Sequence, residues 1–149
     1  NQFGWHMTRN MQDFETQAWE PADNARRFEC GSPNMLGIFA QQASVSLLQE
    51  IGIQQVYEDL QIRVDLIIEA VQQRGYTLLS PAAVARRAGI VTISIPGVED
   101  HKTIYQTLMQ EGILCAYRMG GIRFSPHFYT PLEAIVSAFQ RIDEIHKTT

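Results

Sequence analysis

Gly89-Ile90-Val91-Thr92-Ile93-Ser94-Ile95, closed by Pro96-Gly97, alternates β-branched apolar residues with small polar ones. Successive side chains of a strand point to opposite faces, so this stretch predicts a strand with one apolar face, ended by a turn. Upstream of it, residues 76–79 form a shorter strand candidate stopped by Ser80-Pro81. Downstream, Glu99 and Asp100 open a helix whose stripe is Ile104, Tyr105, Leu108 and Met109, stopped by Gly112. Residues 113–117 and 121–124 then read as two strands around a tight Gly120-Gly121 turn. Thr130-Pro131-Leu132-Glu133 has the form of a capping box with proline at the first helical position, and Ile135, Phe139 and Ile142 follow on one helix face. From Tyr76 the order is β-β-α-β-β-α. Strands that do not strictly alternate with helices predict a two-layer α+β domain, with helices on one face of a four-stranded, mostly antiparallel sheet.

Before this module the texture is helical. Ser32 is a favoured N-cap and Pro33 a favoured first helical residue, which predicts a helix over 34–50. Ile53, Val56, Leu60, Val64, Ile67, Ile68 and Val71 recur at three- and four-residue steps up to Gly75, which predicts a long amphipathic helix over 53–74. At ~1.5 Å per residue it would span ~33 Å, about the width of a small domain. Residues 1–31 carry Phe3, Trp5, Phe14, Trp19 and Phe28 without a sustained period and are broken at Glu20-Pro21. They are expected to form a packed but irregular lead-in, followed by the α+β domain over 32–149.

The 149 residues, 45% hydrophobic and 19% charged, suit one globular domain. Sixteen acidic against twelve basic side chains leave a net charge of -4, which argues against nucleic acid and anionic membrane as partners. No apolar run approaches the ~18 residues of a membrane span, and the first residues lack the layout of a signal peptide. Cys30 and Cys115 stand far apart, in neither a CxxC nor a His-rich context. That excludes a zinc motif or disulfide scaffold and suits the cytoplasm.

Few residues invite chemistry. Arg123 shares a strand face with Ser125, opposite Ile122 and Phe124, and a guanidinium on a rigid strand suits bidentate binding of a carboxylate or phosphate. The alternative is a solvated edge arginine paired with a glutamate. Ser32 stands at a helix start, where free amides favour anions, or is simply an N-cap. His127 lies in the loop before the last helix, Cys115 inside an apolar strand reads as a buried thiol, and Arg26 and Arg27 either reach an anion or pair with Glu29. On residue types alone the chain is an α+β domain with a candidate anion site. A stand-alone module for a small carboxylate and a pure dimerisation module both remain open.

Two stretches carry a resemblance. Arg27-Phe28-Glu29-Cys30-Gly31-Ser32-Pro33-Asn34 resembles the RFExGTPN segment of class V aminotransferase-like enzymes, the group that includes cysteine desulfurases, kynureninases and isopenicillin N epimerase-like proteins. The run from Arg123 to Glu133 resembles that group's RxSPHxYNTxEE segment, and Gly4-Trp5 with Asp13-Phe14 is similar to the stretch after the cofactor-binding lysine. The resemblance implies the small C-terminal domain of a homodimeric enzyme that uses pyridoxal 5'-phosphate on an amino acid, with the large cofactor-binding domain outside this chain. It implies that Arg123 binds the substrate α-carboxylate and that Gly31 and Ser32 reach the cofactor phosphate of a neighbouring subunit. No catalytic residue and no metal ligand is implied here. The Schiff-base lysine and the aspartate on the pyridine nitrogen have no match, because the only lysines are Lys102 and Lys147. Cysteine desulfurases carry their nucleophile in a loop between the two strands that here join at Met119-Gly120-Gly121. This departure leaves transamination, epimerisation or kynureninase-like cleavage as the implied reactions.

Overall fold

In the computed structural model, which describes residues 3–148, the alternating stretch around Thr92 is the strand β2, Val91–Ser94. It pairs antiparallel with β1, Thr77–Leu78, and with β4, Gly121–Phe124, while β3, Ala116–Arg118, pairs antiparallel with β4. The order in the sheet is β1-β2-β4-β3. Four helices are described: α1, Met35–Ile51; α2, Ile53–Gln73; α3, Lys102–Gln110; and α4, Leu132–Thr148. The domain is α+β, as the order of periodicities predicts. Because β4 lies between β2 and β3, the β2-α3-β3 passage is a split β-α-β unit.

Register explains the two faces. Val91 opposes Phe124 and Ile93 opposes Ile122, so these four apolar side chains share one face and are buried. Against them pack Val64, Ile67 and Val71 of α2, Ile104 and Leu108 of α3, and Phe139 and Ile142 of α4. The opposite face carries the row Thr92, Arg123 and Ala116 across three strands.

Local details differ from the sequence expectations, each for a stated reason. The β3–β4 turn is Met119-Gly120, both at positive φ (54° and 73°), as a two-residue hairpin turn of this hand requires. Gly121 is instead the first residue of β4. A Cβ there would collide with the Ile93 carbonyl, so glycine is needed for close strand approach rather than for the turn. The helix start falls on Asn34, not Ser32: the Asn34 side-chain oxygen accepts the Gly37 N–H at 2.9 Å. α4 begins at Leu132, two residues after Thr130, whose hydroxyl accepts the His127 N–H at 2.9 Å.

The chain divides into two compact units, Asn1–Leu47 and Leu48–Thr149, with the division inside α1. Over residues 3–31 of the first unit the described chain has only short 3-10 turns, and its aromatics are not packed away. Phe14 is 78% and Phe28 73% exposed, and only Ala22 among the apolar residues of that unit is buried. Backbone bonds hold it instead: Arg9 N–H to the Glu20 carbonyl at 2.7 Å and Ala22 N–H to the Met7 carbonyl at 2.8 Å. Arg26 adds bonds to the carbonyls of Thr8 and Arg9. None of the residues of α1 is buried. With too few partners within this unit, its aromatics do not bury one another.

Two polar residues, Thr92 and His101, are buried in the second unit, and one of them is titratable. The His101 ring is 2% exposed; its Nε2 accepts the Ile95 N–H at 2.7 Å, and its Nδ1 makes no hydrogen bond. Burial holds the imidazole below its ordinary pKa, against the opposing pull of the Asp100 carboxylate. The unfolded chain therefore binds the extra proton more readily. The stability from this neutral ring is complete above the unfolded value of about 6.5 and is lost as pH falls below it. Urea midpoints measured between pH 7.5 and 5.5 are expected to fall, and His101→Gln should flatten that fall. An equal slope in the variant would assign it to other groups.

Candidate functional site

Arg123 occupies the middle of the central strand β4, opposite Thr92 on β2 and Ala116 on β3. Its side chain is part-buried, and Nε lies out of solvent without a hydrogen-bond partner. Among the described residues it forms no ion pair, so a surface pairing with glutamate does not occur. A guanidinium donor on a rigid strand that has no partner among the described residues is available to an acceptor from outside the chain. The fork geometry suits two oxygens of one carboxylate.

The turn after β4 is closed on itself. The Thr130 N–H donates to the His127 carbonyl at 2.9 Å, complementing the His127 N–H to Thr130 hydroxyl bond. His127 stacks on Tyr129 with centroids 4.1 Å apart, and both are exposed. Beneath the turn lies an apolar cavity of about 570 Å³, bordered by Phe124, Leu114, Ile135 and Phe139. Arg63 of α2 reaches the turn, its Nε donating to the Thr130 carbonyl at 2.6 Å. Nothing in the residue pattern marks this arginine, which stands between the apolar positions of an ordinary helical stripe.

Gly31 and Ser32 belong to the first unit. They lie at the entrance to α1, Ser32 exposed and Gly31 part-exposed, and a Cβ on Gly31 would meet nothing. Gly4 packs so closely on the Cys30 carbonyl that a Cβ there would collide with it. Two of the three segments that carry the family resemblance are thus brought together within one unit. The backbone at Gly31 and the Ser32 hydroxyl are both open to a ligand from outside the chain.

The remaining candidates have other surroundings. Burial pushes the Cys115 thiol above its ordinary pKa, which opposes a nucleophilic thiolate. Lys102 and Lys147 are exposed on α3 and α4. Arg26 is used by the backbone of residues 8 and 9, and Arg27 lies over the Phe28 ring. Among the described residues no cluster of histidine, cysteine or carboxylate can hold a metal ion, and no helix is long and apolar enough to cross a membrane.

Comparison with known proteins decides the family, since the Aminotransferase class-V model matches residues 3–131. The chain belongs to the class-V aminotransferases. A probable cysteine desulfurase of Pyrococcus abyssi is 22% identical over 93% of this chain, and an uncharacterised aminotransferase of Bacillus subtilis is 29% identical over 84%. The chain spans only 37% and 32% of the length of those relatives. Among solved structures, the apo cysteine desulfurase of Thermococcus onnurineus superposes with a TM-score of 0.79 at 19% identity, covering 99% of this chain and 39% of that one. A variant of C-DES with glycine covalently linked to its PLP cofactor gives a TM-score of 0.76 at 22% identity, covering 95% and 37%. Class-V aminotransferases depend on pyridoxal 5'-phosphate. The described residues fit that cofactor in part: Gly31 and Ser32 suit its phosphate, while no lysine is sited among the candidate groups to bind its aldehyde.

Proposed function

We propose that this chain is the C-terminal domain of a pyridoxal-phosphate-dependent enzyme acting on an amino acid, with Arg123 as the receptor for the substrate α-carboxylate. The observation that carries the reading is the unpartnered, buried Nε of Arg123 on the central strand. When bound, the cofactor supplies an electron sink for carbanion chemistry at the substrate α-carbon. This chain binds and orients. Arg123 fixes one end of the amino acid, while the Gly31 backbone and the Ser32 hydroxyl donate to the cofactor phosphate of a neighbouring subunit.

The lysine that holds the cofactor and the partner of its pyridine nitrogen belong to a large domain outside this sequence. The exposed apolar surface of α1, where Leu36 is 82% and Phe39 63% exposed, supports burial against that domain and a second subunit of a homodimer. The reactions retained are transamination, epimerisation and kynureninase-like cleavage. The two-residue β3–β4 turn and the raised pKa of Cys115 speak against desulfuration by a thiol from this region. Two unbridged cysteines agree with a cytoplasmic protein. An alternative, a stand-alone module for a small carboxylate, uses Arg123 but gives Ser32 no task.

The test uses the full-length protein. Ser32→Ala removes one hydrogen bond to a phosphate, worth about 1.5–3 kcal/mol when the acceptor is charged, so cofactor affinity should fall by roughly ten- to hundredfold. Cofactor absorbance titrated after dialysis reads this directly. Unchanged affinity would remove Ser32 from the cofactor site and favour the stand-alone module.

A further inference from the structure

We propose that Arg63 is a positioning residue that sets the end of β4 and so the aim of Arg123; this rests on the carboxylate reading above. Pairing of β4 with β3 ends at Ala116 opposite Arg123, and pairing with β2 ends at Val91 opposite Phe124. Beyond Phe124 no sheet ladder holds the backbone. The next fixed point is the 127–130 turn, whose two reciprocal bonds between His127 and Thr130 make it move as one piece. Arg63 ties that piece to α2 through the Thr130 carbonyl at 2.6 Å. Its own guanidinium is held from behind, because Nη1 donates to the Asp59 carbonyl at 2.7 Å, one helical turn back. A charged donor locked on both sides is a brace rather than a solvated side chain.

The same part of α2 fastens the chain entering β2. Arg87, whose side chain is 7% exposed, donates to Gln61 at 3.1 Å, to the Ala82 carbonyl at 3.2 Å, and to Asp65. The segment leading into β2 and the turn leaving β4 thus hang from neighbouring turns of one helix. The chain entering β2 and the chain leaving β4 are both held at the Val91–Phe124 end of the sheet, one residue from Arg123, and a misplacement of ~1 Å at a substrate-binding site can cost on the order of a hundredfold in rate.

The experiment compares four forms of the full-length holoenzyme: wild type, Arg63→Gln, Arg123→Lys and the double variant. Arg63→Gln is expected to lower kcat/KM for the amino acid by about ten- to hundredfold, chiefly through kcat, with cofactor content unchanged. Arg63→Lys keeps one donor and should give an intermediate loss. On the Arg123→Lys background Arg63→Gln should add less than about twofold, because it acts through the residue already changed. Independent losses that multiply, or an Arg63→Gln effect on the unfolding midpoint with kcat/KM intact, would overturn the proposal. A large Arg123→Lys loss with no Arg63 effect overturns the positioning role alone. No Arg123→Lys loss overturns the carboxylate reading and this proposal with it. If Arg63→Gln does not fold, Arg63→Lys decides: a loss of about three- to tenfold that vanishes on the Arg123→Lys background supports the brace, and full activity overturns it.

Discussion

Arg123→Lys in the full-length enzyme is expected to reduce kcat/KM for the amino-acid substrate by one to three powers of ten while cofactor content stays at the wild-type level. Lysine keeps the charge but loses the planar fork, so at least one of two charge-assisted hydrogen bonds disappears at a cost of about 1.5–3 kcal/mol. At ~1.4 kcal/mol per tenfold this alone gives one to two powers of ten, and a carboxylate left partly unpaired out of water adds to it. Stability should move the other way or not at all. Arginine carries its buried Nε without a partner in the free protein, and lysine has no atom of that kind to leave unmet. Activity and unfolding midpoint are therefore expected to separate, which distinguishes a binding role from a packing role. If kcat/KM is unchanged in a correctly folded enzyme, Arg123 is a sheet residue and nothing more.

The sequence disclosed strands better than caps. Alternation at Val91, Thr92 and Ile93 is a property of a few adjacent residues, and the sheet used it directly. The hairpin turn moved by one residue because two causes ask for glycine at adjacent positions. Gly120 provides a positive φ and Gly121 provides clearance for the Ile93 carbonyl, and a sequence shows only the pair. Ser32 and Asn34 are both good caps, and the choice between them rests on where the first helical turn settles. Asn34, three residues before Gly37, carried the available signal.

The site divides in the same way. Arg123 was legible as a donor on a strand face, but its unmet Nε depends on neighbours from two other strands. Arg63 was not legible at all: its partner Thr130 lies 67 positions away, and nothing in a helical stripe marks which arginine will find a distant carbonyl. The lead-in aromatics misled for a reason of context. Phe3 and Trp19 do pair, with centroids 5.1 Å apart, yet both remain exposed, since a few aromatic and aliphatic groups in an irregular segment cannot bury one another without a layer to lie against.

Phe139→Ala is expected to cost about 3–5 kcal/mol of stability, a large share of the ~5–15 kcal/mol that holds a typical domain. The ring is 1% exposed, sits 5.5 Å from Phe124 between centroids, and carries the Arg74 guanidinium 5.3 Å above its centre. Two effects compete over the size of the loss. Collapse of the surroundings would reduce it, but Phe139 borders the cavity of about 570 Å³ beneath the 125–130 turn, so its removal enlarges an existing opening rather than leaving a void that neighbours can close. Water entering there would wet Phe124 and Ile135, and the apolar area term, about 25 cal/mol per Å², then replaces the cavity term without relieving it. The polar brace beside it survives: Arg74 Nε stays within 2.9 and 3.0 Å of the two Asp143 oxygens, and Tyr76 donates to Asp143 at 2.7 Å. That network keeps α2 and α4 joined, so the variant should unfold at a lower urea concentration with an unchanged slope, as lost stability without a changed fold requires. Phe139→Leu fills most of the volume and should recover more than half of the loss. A midpoint that moves as little for alanine as for leucine would mean that the groove, and not the ring, already sets the packing of this corner.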